Sequence, residues 1–94
     1  MDENQIFELI SKELESARKK WPMFVDDVIH AVGIVNEESG ESMQAALDVV
    51  YDNGSIENLK KELIQTAAMC VRVMQNIGSM KLHKHHSTED IWKR

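Results

Sequence analysis

Three glutamates carry the chemistry that this sequence suggests. Ile34, Glu38, Glu41 and Ala45 are spaced four, three and four residues apart, so Glu38 and Glu41 share one helical stripe bounded by small or apolar residues. Leu59, Glu62 and Thr66 step by three and four beside Leu63 and Ala67, which puts Glu62 at the margin of a second packing face. Side chains three apart on a helix lie about 5–6 Å apart at Cβ, close enough for two carboxylates to share a cation. The turn at Asp52–Ser55 folds the Glu62 helix back antiparallel on its predecessor, with Glu41 and Glu62 within about two turns of one height. Packed helix axes are about 8–10 Å apart, so all three carboxylates are expected to converge. Repulsion and desolvation oppose such a cluster unless a hard divalent cation takes oxygen ligands from it, and Mg²⁺ or Mn²⁺ fits this donor set. The competing reading is a solvated acidic face made by Glu37, Glu38 and Glu41.

The elements that must position these acids are helices. Ile6, Leu9, Ile10, Leu14 and Ala17 fall at helical steps and predict a first amphipathic helix over residues 3–19. Trp21-Pro22 ends it, since the residue before a proline is driven out of the helical region, and Pro22 suits an early position in the next helix. A second helix is predicted from about Met23 to Tyr51, with Val25, Val28, Ile29, Val32, Val35, Ala46, Val49 and Val50 apolar, weakened locally by Gly33 and Gly40, either of which leaves room for a kink or break. Asp52-Asn53-Gly54 reads as a turn, with Ser55 the N-cap of a third helix from Ile56 to Ile77 and Gly78 its stop. That helix carries an apolar stripe of Ile56, Leu59, Leu63, Ala67, Cys70, Val71, Met74 and Ile77. The fold class expected is all-α, with antiparallel helices in a four-helix-bundle-like core completed by oligomerisation. Residues 1–78 form the domain and 79–94 a polar, basic tail with weak helical potential over 88–93.

Charge and size narrow the function classes. No lysine or arginine occurs between Lys20 and Lys60, whereas Asp26, Asp27, Glu37, Glu38, Glu41, Asp48, Asp52 and Glu57 do. An acidic centre repels phosphate backbones, so nucleic acid is not an expected partner. With 94 residues and one cysteine, Cys70, the chain has a small core and no intrachain disulfide, and self-association is the usual way to complete such a core. The absence of a leader-like start or a long apolar run gives a soluble, reducing, cytoplasmic setting as the expectation, with no membrane.

Glu37-Glu38-Ser39-Gly40-Glu41, followed after twenty residues by Glu62-Leu63-Ile64-Gln65, resembles the EExxE…ExxD signature of MazG-like nucleoside triphosphate pyrophosphohydrolases. His30-Ala31 ahead of the acids and the segment from Glu62 to Arg72 are also similar to that superfamily, and the likeness covers roughly residues 20–75. The resemblance implies an all-α fold assembled as dimers or tetramers, and Mg²⁺-dependent hydrolysis of nucleoside triphosphates, often deoxy or aberrant, to monophosphate and pyrophosphate. Carried over by position, it makes Glu38, Glu41 and Glu62 metal ligands and Glu37 a further ligand or the group that orients the attacking water. The signature's last aspartate is Gln65 here, which offers a neutral carbonyl oxygen but neither charge nor a base.

Lys60, Lys61 and Arg72 are candidate phosphate contacts, against the alternative of solvated surface charges. His30 is a candidate substrate contact, against that of a satisfied structural histidine. Cys70 reads as core, Trp21 and Trp92 as caps of the core or a subunit contact that also suit base stacking, and His83, His85 and His86 as an adventitious metal tract. Beside the hydrolase stand a helical binding or assembly module that has lost the chemistry at Gln65, and a small metal-binding protein whose basic tail engages a partner.

Overall fold

The computed structural model describes residues 1–82, so His83, His85, His86, Trp92 and the weak helix over 88–93 lie outside the described residues. Three α-helices make the fold: α1 (Glu3–Lys20), α2 (Val28–Tyr51) and α3 (Ile56–Asn76), followed by a 3₁₀ turn at Ile77–Ser79. The all-helical expectation is met among the described residues, and α3 packs against both α1 and α2. No described helix is long and apolar enough to cross a membrane.

Local chemistry explains most of the boundaries. Asp2 and Gln5 form a reciprocal capping box at the start of α1, with Gln5 N–H donating to Asp2 Oδ1 at 2.8 Å and Asp2 N–H to Gln5 Oε1 at 2.9 Å. Arg18, Lys19 and Lys20 close α1 where cations suit the helix dipole. Ser55 caps α3, its Oγ accepting from Asn58 N–H at 3.0 Å.

The start of α2 differs from expectation. The helix begins at Val28, capped by Asp27, whose Oδ2 accepts from His30 N–H at 2.8 Å. Residues 21–27 stay out of the helix because tertiary contacts claim them. Lys81 N–H donates to the Asp26 carbonyl at 2.7 Å, and Asp27 and Lys81 form an isolated parallel bridge. Phe24, Val25, Val28 and Val35 then pack on a small cluster of Ala31, Val73 and Met80. Packing therefore runs past residue 78, and Gly78 lies inside the 3₁₀ turn rather than ending α3. Gly33 and Gly40 leave α2 unbroken.

The reversal between α2 and α3 needs its glycine. Asp48 O accepts from Asp52 N–H at 2.9 Å and from Gly54 N–H at 2.8 Å, while Asn53 takes φ of 56°. A Cβ on Gly54 would lie 2.7 Å from Asp48 Cβ and 2.8 Å from its carbonyl carbon. Gly54→Ala should therefore destabilise the domain by about 1–3 kcal/mol in chemical denaturation, with Gly78→Ala, whose Cβ would meet nothing within 4 Å, near neutral as the control. Equal midpoints for the two variants would contradict the tight turn.

The core is thin. Its buried apolar residues are Leu14, Ala31, Ala45, Ala68, Val73 and Met80, and no large side chain is fully buried among the described residues. The face of α3 that turns inward carries Ala68, Arg72 and Val73. Ile56, Leu63, Met74 and Ile77, from the stripe read as its packing face, are exposed.

Candidate metal centre

α2 and α3 bring their acids together. One carboxylate oxygen from each of Glu38, Glu41 and Glu62 lies within 4.8 Å of the others. The register that achieves this is held by hydroxyls. Thr66 Oγ1 lies 3.1 Å from the Glu38 carbonyl, 2.9 Å from the Glu62 carbonyl and 2.9 Å from Ser42 Oγ. The carbonyls only accept, so the Thr66 proton goes to them and Ser42 donates to Thr66. Ser42 is buried at 8% exposure, one turn beyond Glu38, and Thr66 is one turn beyond Glu62. One hydroxyl pair thus ties the backbones of two of the acids across the helix interface.

Thr66→Val keeps the shape and leaves Ser42 without its partner. It should cost about 1–3 kcal/mol in thermal or denaturant unfolding, and Thr66→Ser should recover most of the loss. A valine variant as stable as the wild type would remove the hydroxyl pair from the interface account.

The electrostatics are unbalanced. Glu38 and Glu62 each have an Oε2 atom shut off from solvent without a hydrogen-bond partner among the described residues. The described ion pairs involve other acids: Glu8, Glu15, Glu57 and Asp26. Burial first, then the charges of Glu41, Glu62, Glu13 and Glu37, raises the Glu38 pKa above the ordinary carboxylate value. Orphaned carboxylate oxygens of this kind are costly in an apo protein and are the donors a hard divalent cation takes. The donor set therefore fits Mg²⁺ or Mn²⁺ on chemistry as well as spacing.

The other sequence candidates are spread around this centre. Glu37 is exposed and outside the converging trio. Gln65 lines a cavity of about 180 Å³ with Glu38 and Arg72. Lys60 and Lys61 line a neighbouring groove, where Lys60 Nζ lies 3.5 Å from Glu57. His30 is exposed in the first turn of α2. Trp21 is largely exposed and edges a cavity of about 300 Å³ shared with Phe24, Ile34, Met69 and Glu38. Cys70 is half-buried on α3.

Arg72 departs most from the solvent-facing phosphate contact read in the sequence. It is 4% exposed, and its guanidinium donates to the Ala17 carbonyl at 3.3 Å and to the Trp21 carbonyl, 4.8 Å from the centre of the Phe24 ring. These contacts point it into the protein and tie the end of α1 to α3.

Sequence reasoning gave no role to three residues near the acids: Ser42, Thr66 and Glu13. Thr66 follows Glu62 by four residues and was in the spacing pattern, and Ser42 follows Glu38 at the same helical step, which was its signal. Glu13 lies three residues after Ile10 and four before Ala17, inside the apolar stripe of α1, and that position was its signal. A comparison of the chain with family profiles, characterised proteins and solved structures finds no match.

Proposed function

We propose that this chain is a Mg²⁺-dependent nucleoside triphosphate pyrophosphohydrolase of the MazG-like kind. The observation that carries the reading is the convergence of Glu38, Glu41 and Glu62 around unpaired, solvent-excluded carboxylate oxygens. The signature resemblance of the same residues supports it. A divalent cation held by these three would supply charge neutralisation for phosphate oxygens and a more acidic water. Glu37, exposed beside Glu38, orients the attacking water and accepts its proton. The water oxygen bonds to the α-phosphorus, the bond to the bridging oxygen breaks, and pyrophosphate leaves with that oxygen. Lys60 and Lys61 meet the phosphates from the adjoining groove. Trp21 and His30 remain the candidates for contact with the rest of the nucleotide.

The same reading includes a homo-oligomer, a dimer or tetramer. Ile29, Val32, Met43, Leu47 and Val50 form an exposed stripe at helical spacing on α2, and α3 exposes Ile56, Leu63 and Met74, with Ile77 exposed in the turn that follows. A Cβ at Gly33 or Gly40 would meet no atom within 4 Å, so a second helix has room to approach there. Covering these faces with another copy would give the four-helix core that one chain leaves open.

The deciding experiment is phosphate release measured with added inorganic pyrophosphatase, across ribo- and deoxynucleoside triphosphates with Mg²⁺. Turnover of at least one nucleotide, lost in Glu38→Ala and Glu62→Ala, is the expected result. Gln65 in the cavity wall favours a second reading, a non-catalytic module. Intact Mg²⁺ binding with no turnover on any nucleotide would select that reading instead. A monomeric mass by light scattering at micromolar concentration would overturn the oligomer.

A further inference from the structure

Beside the acids lies a cavity of a different character. It has a volume of about 300 Å³ and is walled by Trp21, Met23, Phe24, Val25, Ile34 and Met69, together with Glu38 and Arg72. A mostly apolar wall with a few polar groups is the usual make-up of a small-molecule site. Glu38 is also one of the converging trio, so the cavity adjoins the metal centre. Its rim is uncovered: Trp21 is 63% exposed and Met23 87% exposed, although both are large apolar side chains. They belong to the segment 21–27, which is pinned at both ends. Arg72 donates to the Trp21 carbonyl, and Lys81 N–H donates to the Asp26 carbonyl at 2.7 Å. An indole and a thioether fixed at the mouth of an apolar cavity suit a flat ring.

The wall lacks the groups that read a base by its edge. Arg72 is 4% exposed and already committed to the Ala17 and Trp21 carbonyls and the face of Phe24. Glu38 belongs to the metal centre. The other six side chains carry one N–H, on the Trp21 indole, and no oxygen. Sites built to hydrogen-bond a substrate reject analogues lacking the matching group by about 10⁴- to 10⁵-fold, and apolar pockets discriminate far less. The neighbouring cavity of about 180 Å³ is polar by contrast, lined by Glu13, Ser16, Lys20 and Gln65. A base seated there would meet side chains able to read its edge.

We infer that the apolar cavity takes the aromatic base of the nucleotide, with Trp21 as its stacking residue, and selects that base by apolar fit rather than by its hydrogen-bonding edge. The inference rests on the hydrolase reading above for the placement of the phosphates. One consequence is weak discrimination among the common bases. Another is a preference for a base enlarged by a methyl group over its parent, because the methyl adds buried apolar surface.

The test reads binding rather than turnover, in a Trp92→Phe background that leaves Trp21 as the one indole. In metal-free buffer, thymidine and deoxyuridine should both quench Trp21 fluorescence, with thymidine bound about fourfold more tightly for its one extra methyl. With Mg²⁺ present, α,β-imido triphosphates of the four common bases should bind within about a hundredfold of one another. Trp21→Ala, followed by calorimetry, should weaken all of them at least about fivefold and leave Mg²⁺ affinity unchanged. That variant keeps the fold, since Arg72 uses the backbone carbonyl of residue 21 and the side chain is largely exposed. A larger preference for one base would place it against groups such as Ser16 and Gln65 and overturn the inference. So would wild-type nucleotide affinity in Trp21→Ala, or no quenching by thymidine while Mg²⁺ binding and turnover persist. Quenching by thymidine without Mg²⁺ uptake or turnover would instead overturn the hydrolase reading and support the base pocket, so the two failures are distinct.

Discussion

A Glu38→Gln variant should lose its Mg²⁺ affinity and, in metal-free buffer, melt at a higher temperature than the wild type. The two effects have one origin. Glu38 is pressed by burial and by the charges of Glu41, Glu62, Glu13 and Glu37, and its Oε2 is shut off from solvent without a partner. Glutamine fills the same space and removes the charge. In the apo protein that relieves repulsion and desolvation, whereas with metal present it removes a ligand. Residues that merely orient metal ligands are worth about 10- to 100-fold in affinity, so the loss of a ligand should exceed about a hundredfold by calorimetry. The sign of the pH dependence follows as well. Folding raises the Glu38 pKa above its ordinary value of 4.5, so the folded chain holds this proton more firmly than the unfolded one. Stability therefore falls as pH rises from that value into the raised pKa, and the penalty is complete above it. The stability deficit of metal-free wild type relative to Glu38→Gln should shrink on going from about pH 7 to about pH 5. A variant that melts lower at neutral pH, or a gap that does not change with pH, would show that Glu38 is a structural residue.

The fold was legible where local chemistry decides it, and obscure where a distant segment does. α1 and α3 lie within a residue of their predicted limits because capping side chains, a stripe of apolar residues and a turn sequence all sit close in the chain. The start of α2 was misjudged because Pro22 is a good first-turn residue by itself. What overrides it is Asp27 as a cap and the hydrogen bond from Lys81 to Asp26, a partner more than fifty residues away. Gly33 and Gly40 suggested a break, yet both remain helical within α2.

The candidate site shows the same division. Glu38, Glu41 and Glu62 could be read from helical spacing and one antiparallel turn, and the coordinates bring their oxygens within 4.8 Å. Glu13 could not be joined to them, since nothing in the chain states how α1 is set against α3. The apolar positions read on α2 and α3 divide: Val28 and Val35 pack inward, whereas others face outward. Ile29 is 80% exposed and Leu63 is 52% exposed. Periodicity reports that a face will be covered, but not whether the cover comes from the same chain.

Arg72→Met should cost about 2–4 kcal/mol of folding stability, the largest loss expected from a single side chain outside the acids. Arg72 is a buried cation whose donors reach the carbonyls of Ala17 and Trp21 at the end of α1, adding to the Trp21 N–H that already donates to Ala17. Burial, then the charge of Arg18, lowers its pKa, a strain accepted because the guanidinium also lies over Phe24. Removing it leaves carbonyls with less compensation and empties space beneath the loop of residues 21–27. Arg72→Lys should recover little, since an ammonium cannot span two carbonyls and stack on a ring at once. For a domain this size each kcal/mol moves the thermal midpoint by about 4–8 °C, so melting curves resolve the effect easily. The same variant separates the two roles open to this residue. As a phosphate contact, Arg72 would be replaceable at little cost to melting and at a clear cost in KM. As the tie between α3 and the end of α1, its loss should lower the midpoint and leave KM little changed.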